Sequence, residues 1–131
     1  MNLTDRMRAK LAFEHVDAYK EASETDIQKY GSMVLKLPIL IHTSGLAPAL
    51  HFVSARSHKH QRIILDHLAQ QVKLSNGAAL LKKVRSADLA TTRGMTREVQ
   101  RCLFWYRTLV KAELRVDPTM DDKSPSILED N

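Results

Sequence analysis

The residues best equipped for chemistry are four histidines in one short span: His51, His58, His60 and His67. His58 and His60 flank Lys59, while His51 and His67 stand seven residues outside them, about two helical turns away on either side. Two imidazoles brought together can supply the general base and general acid of a ribonuclease. With a further ligand they would make a metal site instead, and Asp66 is the nearest carboxylate that could serve. The competing reading is a solvated link between helices, the commoner fate of a short run of His and Lys. His42, next to apolar residues, reads as a helix cap or a satisfied core side chain. The single cysteine, Cys102, shares a helical face with Leu103 and Tyr106, where a thiol packs as a small hydrophobe rather than acting as a nucleophile. The glycines stand at 31, 45, 77 and 94, too far apart for a phosphate-cradling loop, and neither Gly-x-Ser-x-Gly nor His-Glu-x-x-His occurs. The chain is expected to be no enzyme and to use no cofactor or metal, with a small His-dependent ribonuclease as the alternative.

Binding chemistry is better represented. Residues 31–115 carry fourteen Lys and Arg against four Asp and Glu, a charge of +10, while residues 116–131 carry one against five, −4. A body of that sign suits a polyphosphate, and it would also suit an acidic protein partner of a basic helical adaptor. Lys82, Lys83 and Arg85 precede the last helix, and Arg93, Arg97 and Arg101 recur along it at spacings of four, a ladder able to follow phosphates without reading bases. Arg56, Lys59 and Arg62 form a second cluster.

These side chains must be positioned by helices. Asn2 or Thr4 can cap a first helix that runs to about Tyr19, with Ala9, Ala12, Phe13 and Val16 inward. Thr25 and Gln28 have capping-box spacing for a second, from Asp26 to about His42. That segment is apolar on most sides, which marks a helix surrounded by others, and Pro38 predicts a bend in it. Gly45 stops it, and Pro48 falls in the first turn of a third helix that reaches about Arg56. Gln61–Lys73 is the fourth helix, with Ile64, Leu65, Leu68 and Val72 inward. Asn76-Gly77 makes a turn, and Ala78–Arg85 is the short fifth. Ser86 can cap the sixth, with Asp88 in its first turn. Leu89, Thr96, Leu103 and Val110 keep one heptad phase across Gly94, which predicts a single long helix. Along its second half Val99, Cys102, Leu103, Tyr106, Leu109, Val110 and Leu114 share an inward stripe. Arg97, Arg101, Lys111 and Arg115 lie opposite, with Phe104 and Thr108 among them, and Trp105 stands at the stripe's edge as a core boundary or an interface anchor.

The expected architecture is all-α, a compact bundle of about six helices over residues 1–116, followed by a disordered acidic tail at 117–131. One cysteine allows no internal disulfide, the N-terminus lacks the apolar core of a signal peptide, and the longest mainly apolar run, Met33–Ile41, is too short to span a bilayer. An intracellular, cytoplasmic protein is the simplest expectation.

Two blocks of motifs carry a family resemblance. The first is Tyr-Gly-Ser-Met-Val-Leu-Lys-Leu-Pro-Ile-Leu-Ile at 30–41, Ser-Gly-Leu at 44–46 and Ala-Leu-His-Phe-Val-Ser-Ala-Arg at 49–56. The second is Ser-Ala-Asp-Leu at 86–89, Thr-Arg-Glu at 96–98 and Leu-Phe-Trp-Tyr-Arg at 103–107. In this order and spacing they resemble the small helical subunit of type III-B CRISPR effector complexes, the fifth protein of the Cmr module, over about residues 6–115. Where Gly94 sits, family members usually have a better helix former. The resemblance implies a non-catalytic subunit of an antiviral RNA-targeting complex, whose copies stack along a filament of a backbone subunit and help line the groove holding crRNA paired to target RNA. Its implied partners are the other Cmr subunits, further copies of itself and the crRNA/target RNA. Arg56, Arg97 and Arg107 are the basic positions inside the family-like motifs. With Lys82, Lys83, Arg93, Arg101 and Lys111 they form the candidate RNA-binding set, and Phe104 and Trp105 are candidate subunit contacts.

Overall fold

A computed structural model describes residues 3–117 of the chain. Asn2, offered as a first cap, and the acidic tail beyond Asp117 lie outside the described residues. Six helices and no strand occur among the described residues: α1 Leu3–Asp17, α2 Glu24–Ser44, α3 Leu46–Ser54, α4 Lys59–Gln71, α5 Gly77–Ser86 and α6 Leu89–Glu113. The all-α expectation is met, and α6 runs unbroken through Gly94. No helix among the described residues is long and apolar enough to cross a membrane.

α4 is the hub, packing against all five other helices, while α2 packs against α3, α4 and α6. A helix touched on every side buries polar residues along with apolar ones, and α4 buries Gln61 and His67 beside Ile64, Leu65, Leu68 and Ala69. α2 contributes Tyr30, Met33, Val34, Leu37 and Ile41 to the core and continues through Pro38, whose carbonyl accepts a hydrogen bond from Gln100 Nε2 of α6 at 3.0 Å. Gly45, at φ +93°, serves at once as the end of α2 and the start of α3, a conformation that a side chain would strain. At the other end of the chain Val116 is 4% exposed and covers Gly31 so closely that a Cβ there would lie 2.6 Å from one of its methyls.

Several local expectations are corrected. α2 is capped by Ser23, whose hydroxyl accepts from the Asp26 amide at 3.1 Å, rather than by Thr25, which lies inside the helix. α6 is capped by Asp88, which accepts from the Thr91 amide at 2.7 Å, while Ser86 bonds back to the Lys82 and Lys83 carbonyls as α5 ends. In both places two competent caps stand two residues apart, and at α6 the aspartate expected as a first-turn anion serves as the cap itself. Phe13 is exposed, because the inward arc of α1 is set by Arg8, Ala12, His15, Val16 and Tyr19, and Phe13 projects well to the side of it. Leu89 is also exposed. The first buried residue of α6 is Val99, so the buried seam starts well inside the helix rather than at Leu89. His42 is exposed in the last turn of α2, a position the helix dipole favours for a cation, and takes no part in the core.

Candidate nucleic-acid interface

α6 is amphipathic at 3.6-residue period, and burial of Val99, Cys102, Leu103, Tyr106 and Val110 against α1 and α2 fixes which side faces out. The outward side carries Arg93, Arg97, Arg101, Phe104, Thr108 and Lys111, all exposed, with Arg107 half-buried at its edge. From Arg93 to Lys111 the row spans about 27 Å, and each four-residue step advances about 6 Å. None of these cations makes an ion pair with a described residue. Glu98, the one carboxylate near them on α6, is committed elsewhere: Arg8 Nε and Nη2 donate to its two oxygens at 2.7 Å each. That guanidinium holds the Glu98 carboxyl below its ordinary range. The acid is thereby withdrawn from the row, which keeps its positive field.

The remaining candidates divide. Lys82 and Lys83 are exposed on α5, a separate helix that ends just before α6 starts. Arg56 is corrected: it is 3% exposed, its guanidinium 5.0 Å from the centroid of the Phe52 ring, and is not an open phosphate contact. Its neighbour Arg62 donates to the carbonyls of Arg56 and Ser57 at 2.7 and 2.8 Å, bracing the link between α3 and α4. Two members of the second basic cluster, Arg56 and Arg62, are therefore spent on structure, while Lys59 is exposed. Trp105 is half-buried, its indole N–H donating to Asp5 Oδ1 of α1 at 3.2 Å. Asp5 also pairs with Arg8 at 3.3 Å. Trp105 thus stands at the α1–α6 boundary, whereas Phe104 beside it is 51% exposed, with ring centroids 5.3 Å apart and planes at 82°. An open cleft of about 490 Å³ lies alongside, lined by Thr4, Asp5, Arg8, Arg101 and Phe104.

The histidines proposed for chemistry have structural partners. His58 caps α4, its Nδ1 accepting from the His60 amide at 3.2 Å. His60 Nδ1 is bonded to the Tyr19 hydroxyl at 2.7 Å, and its other nitrogen lies 3.3 Å from Asp26. His51 Nδ1 donates to the Ala47 carbonyl at 2.7 Å, one turn back in α3. Among the described residues no three of His, Cys, Asp and Glu gather to hold a metal. Cys102 is buried, its Sγ 3.6 Å from a Glu98 oxygen, and burial pushes its thiol up to about 12, far from a reactive thiolate.

Sequence reasoning missed a polar seam between α1, α4 and α6. His15 and His67 stack with centroids 3.9 Å apart and planes at 6°. His15 Nε2 donates to Gln70 Oε1 at 2.8 Å; an amide oxygen can only accept, so in the neutral ring Nδ1 accepts from the Tyr106 hydroxyl at 2.6 Å. Gln71 Nε2 donates in turn to Tyr106 Oη at 3.3 Å and to the Arg8 carbonyl at 3.1 Å. His67 Nδ1 is bonded to the Tyr30 hydroxyl at 2.9 Å. Burial lowers the basicity of both imidazoles, that of His67 to about 3. The signal available was positional: Arg8 and His15 fall within the arc of Ala12 and Val16, on the face that must be buried.

Comparison with known proteins agrees with this architecture. The family model described as CRISPR-associated protein (Cas_Cmr5) matches residues 4–113. The chain is 30% identical over 113 residues to the CRISPR system Cmr subunit Cmr5 of Thermus thermophilus, covering 86% of this chain and 96% of that one. It also superposes on the crystal structure of a CRISPR-associated Cmr5 family protein from Thermus thermophilus with a TM-score of 0.79 at 28% identity, over 86% of this chain and 97% of the other. Six helices, the long α6 among them, and a family match from Thr4 to Glu113 lead to one conclusion: the chain belongs to the Cas_Cmr5 family.

Proposed function

We propose that this protein is a non-catalytic small subunit of a type III-B Cmr effector complex, acting in the cytoplasm in antiviral defence. In this reading copies of it stack along the backbone subunit and turn the outward face of α6 toward the groove that holds crRNA and target RNA. One observation carries the reading: a row of exposed cations along α6, from Arg93 to Lys111, beside which the Glu98 carboxylate is held by Arg8. Such a row neutralises phosphates and releases counterions without regard to base sequence. The histidines engaged in caps and in bonds to tyrosines leave the ribonuclease alternative without a supporting observation.

The test is the salt dependence of RNA binding. Purified full-length protein should bind RNA weakly and without sequence preference. Arg97→Ala with Arg101→Ala should lower affinity about equally for unrelated sequences and flatten the slope of log K against log salt by roughly 1.4 to 1.8, the value for two lost phosphate contacts. An unchanged slope would take this face out of the RNA site. Assembly is tested separately, by whether the double variant still co-purifies with the other effector proteins.

A further inference from the structure

Phe104 is the one aromatic on the outward face of α6, and its surroundings do not resemble a protein-docking hydrophobe. Its neighbours one and two turns away on that face are Arg97, Arg101, Arg107, Thr108 and Lys111. None is apolar and none is acidic. A side chain that packs against another subunit is normally ringed by further apolar surface, whereas an exposed ring among four cations suits an anion that carries a flat π-face. The ring is also held in place. Trp105 abuts it edge-on at 5.3 Å, the Trp105 N–H is bonded to Asp5, Asp5 is paired with Arg8, and Arg8 is clamped by Glu98. A platform pre-positioned in this way loses little freedom when a ligand stacks on it. The adjoining cleft, about 490 Å³, lies within the size range of small-molecule sites and puts Arg101 and Thr4 beside the ring, while the Asp5 carboxylate in its wall is already engaged by Arg8 and the Trp105 N–H.

We propose that Phe104 and this cleft form a site for one unpaired nucleotide of RNA, its base stacked on the Phe104 ring and its phosphate against Arg101 and Arg97. The inference rests on the RNA-facing reading of α6 and sharpens it. A base held in a duplex stack has no face to offer, so the site selects a nucleotide that is out of the helix. Stacking is indifferent to base identity, so the site selects for being unpaired rather than for sequence.

The test compares two probes, a single-stranded oligouridine of about 12 nucleotides and a blunt RNA duplex, binding to the full-length protein. Trp105, the chain's single tryptophan, lies against Phe104 and reports occupancy through its emission. Phe104→Ala should weaken oligouridine binding by about tenfold, change duplex binding less than twofold and leave the salt slope unaltered, because no charge is lost. Phe104→Leu, which keeps apolar bulk without a π-face, should behave like the alanine variant, and Phe104→Tyr should bind like the wild type. If Phe104→Ala binds oligouridine as the wild type does while the Arg97/Arg101 variant is weakened, the nucleotide site is refuted and the RNA-facing row stands. If the wild type binds neither probe in a salt-dependent way, the RNA-facing reading itself falls. If the phenylalanine variants alter self-association in sedimentation but not RNA binding, Phe104 is a contact between subunits and the inference is overturned.

Discussion

Acidification should weaken this fold well before its carboxylates titrate, and His67 is the main cause. The side chain is 8% exposed, stacked on His15 and bonded to Tyr30, and burial with His15 nearby takes its pKa down to about 3 from an ordinary 6.5. Below pH 6.5 the unfolded chain takes up a proton that the native state refuses until about pH 3, so the unfolded state binds more protons and stability falls as pH falls through that window. At pH 5 the difference amounts to about 1.5 pH units of unmatched protonation. At 1.36 kcal/mol per unit this is about 2 kcal/mol, a substantial share of a typical 5–15 kcal/mol. His15 is shifted in the same direction and adds to the loss. Glu98 and Asp88, both held below their ordinary values, begin to cost stability only at lower pH. Urea unfolding followed by far-UV circular dichroism at pH 7 and pH 5 measures the effect, with His67→Gln as the control. The wild type should lose about 2 kcal/mol between the two, and the variant less than half of that. An equal acid loss in both proteins would refute the assignment to His67, and a wild type that is flat from pH 7 to 5 would refute the buried neutral pair altogether.

Three further outcomes are expected of single substitutions, each read by urea or thermal unfolding. Gly94→Ala should stabilise the protein by about 1 kcal/mol, since a Cβ at this mid-helix position meets nothing within 4 Å; a loss would mean that α6 is bent or contacted there. Gly31→Ala should cost about 1–3 kcal/mol because the added methyl would fall 2.6 to 2.9 Å from three carbons of Val116, and Val116→Ala in the same chain should recover part of it. Asp88→Ala should cost about 1 kcal/mol through the lost cap on α6, whereas Ser86→Ala should cost less than half as much, the reverse of what Ser86 capping would predict.

What was legible in the chain was whatever repeats locally. The 3.6-residue pattern and the breaks at Gly45, 57–60 and Asn76-Gly77 placed six helices within a few residues, and the inward stripe and basic back of α6 followed from the same periodicity. What could not be read were outcomes decided between elements. Arg56 looks like any exposed arginine until the folded chain buries it beside the Phe52 ring. Phe13 looks inward until polar Arg8 and His15 take that side of α1, each because a partner on another helix satisfies it: Glu98 for the first, Tyr106 and Gln70 for the second. Trp105 at the edge of a stripe fits a core boundary or a docking surface equally well until its N–H finds Asp5, a hundred residues earlier in the chain.

The way α1 is held has a consequence for how the molecule opens. Among its described side chains the fully buried apolar ones are Ala12 and Val16, and its specific attachments include the Arg8–Glu98 ion pair and the His15 bonds to Tyr106 and Gln70. Once its ion pair and imidazole bonds are broken, what still holds such a helix is its apolar contact with α6, while the aliphatic packing among α2, α3, α4 and α5 is left intact by its departure. α1 is therefore the piece expected to exchange its amide hydrogens by local opening rather than by global unfolding. Its departure would uncover Leu103 and Tyr106 of α6 as a transient apolar strip, and acid and salt, more than mild heat, are the conditions that would make that opening frequent.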